Sequence, residues 1–460
     1  RSRRTNLRAV TGIAPGFCRR NGSDKGPEGR CRQSDEDRRR PLSSVDKHTF
    51  WEQHPMSEKF DHIKQREEHL LCRTYGRYPI AVDHARGSRL WDVDGKEYVD
   101  LLAGIAVTAL GHCNGELAET MAAQARKLVH VSNLFYQQEQ LDLAERLLGT
   151  CHMGKAFFCN SGAEANEAAI KLARRYMQRV KNRDAFEVIT LSGCFHGRTL
   201  ATVAATGQER FQDGFHPIPQ GFKQAPWGDL EALRAAVTPR TAAVLAEMVQ
   251  GEGGIRPMIP EYIQGIEALC REKDILLMVD EVQAGLCRTG KFWAFQHFGV
   301  TPDVLTTAKS LAGGVPMGAM LTTDDVARGF ATGSHASTFG GGALASAVAA
   351  KSVEIMLRDN LAERAAAVGG RFMDRLRAMA QRRPEAIREV RGLGLMIGID
   401  LAFPGKSVWE ELIRRGFVCN LTHETVLRLL PALTIDEKDL NAFADTLEDI
   451  LAAPRAGATA

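Results

Sequence analysis

No apolar run in this sequence approaches the roughly eighteen residues that a membrane span requires, so no transmembrane segment is expected. An excess of one charge is also missing: 59 Lys and Arg stand against 56 Asp and Glu, a formal net charge of +3. Basic and acidic residues are interspersed beyond the N-terminal segment, which argues against nucleic-acid binding as the main activity. The ten cysteines (Cys18, Cys31, Cys72, Cys113, Cys151, Cys159, Cys194, Cys270, Cys287, Cys419) form no C-x-x-C pair and no regular spacing. A metal centre or disulfide frame is therefore not expected, and they read as reduced thiols of a cytoplasmic protein. Gly392 and Gly394 lack the helix and spacing of a dinucleotide fingerprint. What remains is an ordinary globular composition, 44% hydrophobic and 25% charged over 460 residues, long enough for a large core and two domains.

Residues 1–55 differ from the rest. They are rich in Arg, Gly and Ser, carry the charged block Ser34–Arg40, and show no sustained apolar period, so they are expected to be a disordered extension. Asp35, Glu36 and Asp37 argue against a transit peptide, and Met56 opens a segment that reads as a normal protein start. A charged helix is expected over 60–71, followed by strands over 78–82 and 89–102 around the turn Asp94-Gly95. Helices are expected over 116–129 and 139–148. A strand, turn and helix then follow: Ala156–Cys159, Asn160-Ser161-Gly162, and Ala163–Met177. Strand patterns recur at 187–191, 242–248 and 275–282, with helical stretches at 230–236 and 262–273 between them, which argues for a mostly parallel sheet covered by helices. Long helices to about residues 357 and 382 and a strand pair over 387–401 close the chain as an α+β part.

The chemistry centres on Thr301–Leu321. Lys309 is the only ionised group between Asp303 and Asp324, at the end of an apolar run and before a glycine loop. Near a second cation or in a dry pocket, the pKa of such a lysine falls until the neutral amine is a usable nucleophile, so Lys309 is a candidate Schiff-base lysine. The strand over 275–279 delivers Asp280 and Glu281 to its carboxyl end, where open α/β sheets bind ligands. A carboxylate there could cap a helix, pair with a cation, or hold a pyridine nitrogen protonated and so make the ring an electron sink. Amides at Ser161, Gly162 and Ala163 form a candidate anion site at a helix start. Phe195 and Arg198 follow another strand and could stack on a flat ring and grip a carboxylate. Glu247, in an apolar run, would need a cation if it is buried and ionised. Arg428, in the apolar stretch 426–433, would need an anion.

The blocks Phe157–Arg174 (FFCNSGAEANEAAIKLAR), Phe195–Thr199 (FHGRT), Val249–Gly254 (VQGEGG), Asp280–Gln283 (DEVQ), Arg288–Gly290 (RTG), Asp303–Lys309 (DVLTTAK) and Ser337–Gly341 (STFGG) together resemble class III pyridoxal-phosphate aminotransferases, most of all the acetylornithine group. The resemblance runs from about Arg73 to the end. It implies fold type I: an α/β domain with a mixed, mostly parallel seven-stranded sheet over 111–345, a smaller α+β domain from 56–110 and 346–460, and a homodimer whose active sites lie at the subunit interface. It further implies that Lys309 holds pyridoxal 5'-phosphate and shuttles the substrate proton, and that Ser161, Gly162 and Ala163 bind the phosphate. Phe195 would stack on the ring, Asp280 would meet its nitrogen, Gln283 its phenolic oxygen, and Val282 would also bind the cofactor. Thr338 would reach the partner subunit's cofactor, Ser337 would lie near the substrate, and Arg198 would take the carboxylate of the amino donor. Glu247 and Arg428 would be a switch pair that opens for the α-carboxylate of glutamate, the product of 2-oxoglutarate. Met248, Cys287 and Gly342-Ala343 depart from the family's usual Pro, Gly and Asn-Pro.

The implied activity is transfer of the terminal amine of N2-acetylornithine to 2-oxoglutarate. Ornithine, succinylornithine, 4-aminobutyrate and N-succinyl-diaminopimelate are alternative donors, and a non-catalytic pyridoxal-phosphate-binding protein is a remote one. Ile105 stands where the ornithine enzymes place a tyrosine for a free α-amine, which favours the acetylated donor.

Overall fold

The computed structural model describes residues 57–453, which belong to one compact unit. The expectations for residues 1–55 and for a start at Met56 lie outside the described residues. Seven strands form the central sheet, in the order Lys155–Cys159, Gly318–Thr322, Val304–Thr307, Leu276–Asp280, Thr241–Glu247, Glu187–Leu191, Phe222–Ala225. Only Gly318–Thr322 runs antiparallel to its neighbours. The other six strands point the same way, and their carboxyl ends share one edge. Leu276–Asp280 and Thr241–Glu247 are buried at every position, which is why both read as unbroken apolar runs: helices cover both faces of such a sheet.

The helix Gly162–Arg179 begins where the first strand ends. The Ser161 hydroxyl accepts from Glu164 N and caps it, and Ala165, Ala168, Ala169, Leu172, Ala173 and Tyr176 form its buried stripe. Small residues on that stripe let the helix lie close to the sheet, and so bring its first turn up to the strand ends.

Two smaller sheets flank this core. Val82–Arg86, Arg89–Asp92 and Glu97–Asp100 form an antiparallel meander that Phe417–Val418 joins in parallel. Ile387–Leu393, Met396–Leu401, Val426–Leu429 and Asn420–Thr422 form an antiparallel sheet. The early strand begins at Val82 instead of residue 78, because Pro79 has no N–H to give a ladder.

Candidate active site

A cavity of about 380 Å³ opens at the carboxyl edge of the central sheet. Its walls include Ser161, Gly162, Ala163, Phe195, Arg198, Glu247, Glu252, Asp280, Val282, Gln283 and Lys309. Ten of the thirteen residues expected at the site therefore converge there. Ser337 and Thr338 line a neighbouring cavity instead, joined to the first through Asn160, whose Nδ2 donates to Ser337 Oγ at 3.2 Å. Arg428 lies behind Glu252.

Lys309 follows directly on the strand Val304–Thr307 through Ala308 and occupies a left-handed backbone conformation, φ 37°. A non-glycine residue pays for that conformation, and such strain persists where surroundings enforce it. Here Ser310 Oγ donates to Ala106 O at 2.7 Å and Ser352 Oγ to Ser310 O at 3.3 Å, pinning the turn from behind. Burial, and then the Arg428 cation, bring the Lys309 amine down to about 8, against the pull of Glu252, Asp280 and Glu247. Both the dry pocket and the second cation anticipated for this lysine are therefore present.

Asp280 ends the strand Leu276–Asp280 and is buried at 4% exposure. Its Oδ2 accepts from Asn166 Nδ2 at 2.7 Å and His196 Nδ1 at 2.8 Å, and its Oδ1 from Val282 N at 3.0 Å. Asn166 is in turn held by Thr306 Oγ1. This cage fixes the carboxylate at the cavity floor. Asn166 and His196 escaped the sequence reading, although Asn166 stands four residues after Gly162, one helical turn from the anion site and on its face. Glu281 points elsewhere. It accepts from Ala294 N and Phe295 N, and burial pushes it up to about 8.

The first helical turn at Gly162 and Ala163 offers amides without intrahelical partners. A Cβ at Gly162 would come within 2.7 Å of Val282 Cγ1, so glycine is what keeps this wall thin. Gln283 Oε1 is buried without a partner. A planar ring bearing a phosphate fits these features: a helix start for the phosphate, the unpartnered Gln283 oxygen and Asp280 for ring polar atoms, and Val282 and Phe195 for its faces. Lys309 stands within the same cavity.

The expected switch pair is corrected. Glu247 does not meet Arg428. It closes the strand beside Asp280, as its cross-strand neighbour, and its carboxylate turns inward to accept from Phe195 N at 2.9 Å and Gly251 N at 3.1 Å. Burial, with Asp280 beside it, raises it to about 7. The partner of Arg428 is Glu252, five residues on: Arg428 Nη1 reaches Glu252 Oε1 at 2.5 Å. The strand end is too tightly held to present Glu247, whereas the loop after it can carry a carboxylate across to the second sheet. Desolvation pushes Glu252 upward, but the Arg428 charge and hydrogen bond, together with the Lys309 and Arg210 charges, hold its carboxyl below the usual range. Arg198 is unmasked. It is exposed, and its guanidinium sits 4.0 Å over the Phe211 ring.

Comparison with known proteins places these observations. The family model Aminotransferase class-III matches residues 71–451. An acetylornithine aminotransferase of Methanocaldococcus jannaschii is 43% identical over 386 residues, 84% of this chain and 96% of the relative. One of Myxococcus xanthus is 43% identical over 382 residues, covering 83% and 95%. Among solved structures, the ornithine aminotransferase of Toxoplasma gondii superposes with a TM-score of 0.83 at 31% identity, covering 87% of this chain and 96% of that one. The acetylornithine aminotransferase of Elizabethkingia anophelis gives 0.78 at 31%, covering 86% and 99%.

Proposed function

Because the chain belongs to the class-III aminotransferases, pyridoxal-phosphate enzymes, we propose that it moves the terminal amino group of N2-acetyl-L-ornithine to 2-oxoglutarate, giving N-acetyl-L-glutamate 5-semialdehyde and L-glutamate. The observation that carries this reading is the unequal state of two arginines: Arg198 open at the cavity wall, Arg428 masked by Glu252. An ω-amine with one distant carboxylate needs one cation. Glutamate and 2-oxoglutarate, with two carboxylates, need a second.

Bound pyridoxal phosphate supplies an electron sink for the carbon that bears the amine. The chain's own groups do the rest. Amides of Gly162 and Ala163 and the Ser161 hydroxyl would hold the cofactor's phosphate, Asp280 would meet its ring nitrogen, and Gln283 and Val282 would hold the ring. Lys309 Nζ, with its lowered pKa, would take the proton from the donor's amine-bearing carbon and pass it on to the cofactor's carbon. Arg198 holds the donor's carboxylate in a two-pronged grip. When glutamate enters, Glu252 swings aside and Arg428 takes the α-carboxylate.

Val107 lines the cavity and Ile105 stands two residues before it; both side chains are apolar, and so tolerate an acylated nitrogen and offer nothing to a free ammonium. This favours the acetylated donor over ornithine. We further infer a homodimer in which Ser337 and Thr338 serve the partner's site, a small domain built from 56–110 and 346–460, and work in the reducing cytoplasm. Eight free cysteines among the described residues fit that compartment.

The test is single-turnover absorbance of the holoenzyme with N2-acetylornithine, ornithine or 4-aminobutyrate in separate samples. Acetylornithine should convert the cofactor band fastest, and 2-oxoglutarate should restore it. A faster conversion by another amine would move the substrate assignment to that amine.

A further inference from the structure

Arg428 is buried at 2% exposure, on the strand Val426–Leu429, and its guanidinium can recognise an α-carboxylate with two prongs only if the plane of the fork is aimed. What aims it lies outside the cavity. Asn420, on the adjoining strand Asn420–Thr422, is the direct cross-strand partner of Arg428. Its Oδ1 accepts from Arg428 Nε at 3.1 Å, and its Nδ2 donates to the Tyr78 hydroxyl at 2.9 Å. The Tyr78 ring is itself seated on the edge of Trp409, centroids 4.9 Å apart. The chain Trp409–Tyr78–Asn420 thus fixes the amide's orientation, leaving the oxygen for the arginine.

The hairpin that carries both strands is also held in place. His423 and Glu424, at its turn, are consecutive non-glycine residues with φ of 48° and 60°. Such a turn costs free energy unless contacts enforce it. The contacts are Gly405 N to Glu424 O at 2.7 Å and the His423 ring Nε2 with Glu252 O at 2.7 Å. The same hairpin therefore carries Arg428 and grips the backbone of the residue that masks it. Arg428 Nη1 contacts Gly251 O and Glu252 Oε1, while Nε is given to Asn420. The mask is a one-pronged contact and tolerates rotation of the fork; a two-pronged carboxylate does not.

We propose that Asn420, backed by Tyr78, is a positioning residue that aims Arg428 for the α-carboxylate of the dicarboxylate substrate, and so sets the affinity for glutamate and 2-oxoglutarate without touching the amino donor. This rests on the proposed function above for the identity of the two substrates, but not for its main readout.

That readout is calorimetric binding of glutarate, a dicarboxylate without an amine, to the holoenzyme. Asn420→Ala should weaken glutarate about tenfold, the usual effect of losing a hydrogen bond to a charged group, and Tyr78→Phe about threefold. Single turnover with acetylornithine should stay within about twofold of the wild type in both. Unchanged glutarate binding in both variants, or an equal loss for glutarate and acetylornithine in Tyr78→Phe, would overturn the proposal. Tyr78→Phe removes one hydroxyl and remains decisive if Asn420→Ala does not fold. Failure of the wild type to turn over acetylornithine would overturn the substrate assignment alone, since the glutarate comparison still measures the aim of Arg428.

Discussion

Lys309 and the acids around it set the electrostatics of the cavity. Its amine, brought to about 8 by burial and by Arg428, is largely neutral only a little above physiological pH. In cofactor-free protein, reductive methylation of Lys309 followed by mass spectrometry should accelerate as pH rises and level off just above 8; an exposed lysine would keep accelerating towards 10.5. Replacing Arg428 with Met should move the inflection upward, because the neighbouring cation that disfavours the ammonium is gone. The two glutamates next to this site have opposite tasks. Glu252→Gln leaves Arg428 unmasked and without a charged partner while the amino donor is bound, and should lower kcat/KM for acetylornithine about tenfold more than for glutamate. Glu247→Gln, which disturbs Phe195 N and Gly251 N together, should lower both half-reactions alike. Equal effects from Glu252→Gln would show that its pairing with Arg428 does not gate substrates.

At the scale of elements, the site depends on how closely one strand passes the helix start. Gly318 opens the lone antiparallel strand, and a Cβ there would stand 2.3 Å from Ser161 O. Gly318→Ala must therefore push back the residue that caps the helix Gly162–Arg179. It should destabilise the fold by about 1–3 kcal/mol, read by denaturant melts. It should also raise the Kd for pyridoxal phosphate, read by fluorescence titration of cofactor-free protein. Three parallel strands buried at every position, Glu187–Leu191, Thr241–Glu247 and Leu276–Asp280, were legible in the sequence, and the first lies where its pattern predicts. Phe222–Ala225 was not, because this edge strand carries Lys223 and Gln224 and is only partly buried. Gly318–Thr322 was hidden behind the loop Gly313–Pro316, whose glycines and proline read as continuing irregular chain. At the site, Lys309 and Asp280 were legible because each ends an apolar run in a charge no core would tolerate unpaired. Glu252 was overlooked in favour of Glu247 for the same reason misapplied: the apolar run marked Glu247 as buried, but backbone amides satisfy it, and a loop residue supplies the countercharge to Arg428.

For the molecule as a whole, Ser337 and Thr338 line a cavity beside that of Lys309, and the proposed homodimer would give them a role towards a second copy of the chain. The surface beside them is apolar. Leu134 is 87% exposed, Phe135 65% and Phe339 66%, with Tyr136 fully open to solvent. The segment is ordered from within: Asn133 Nδ2 donates to Ser337 O at 3.1 Å and Gly340 O at 2.9 Å, and the His130 ring lies 5.3 Å from that of Phe339. Large side chains held rigidly in water are a cost to a monomer and a ready contact for a partner. Light scattering should give twice the mass of one chain at micromolar concentration. Leu134→Asp combined with Phe135→Asp places two charges where a stable dimer buries about 800 Å² per partner, and should yield folded monomers. Those monomers should retain the far-ultraviolet circular dichroism of the wild type and lose turnover, because each cavity then lacks what Ser337 and Thr338 of a partner would supply. A wild-type monomer that turns over acetylornithine would dismiss the shared site. A doubly charged variant that stays dimeric would place the interface elsewhere on the surface.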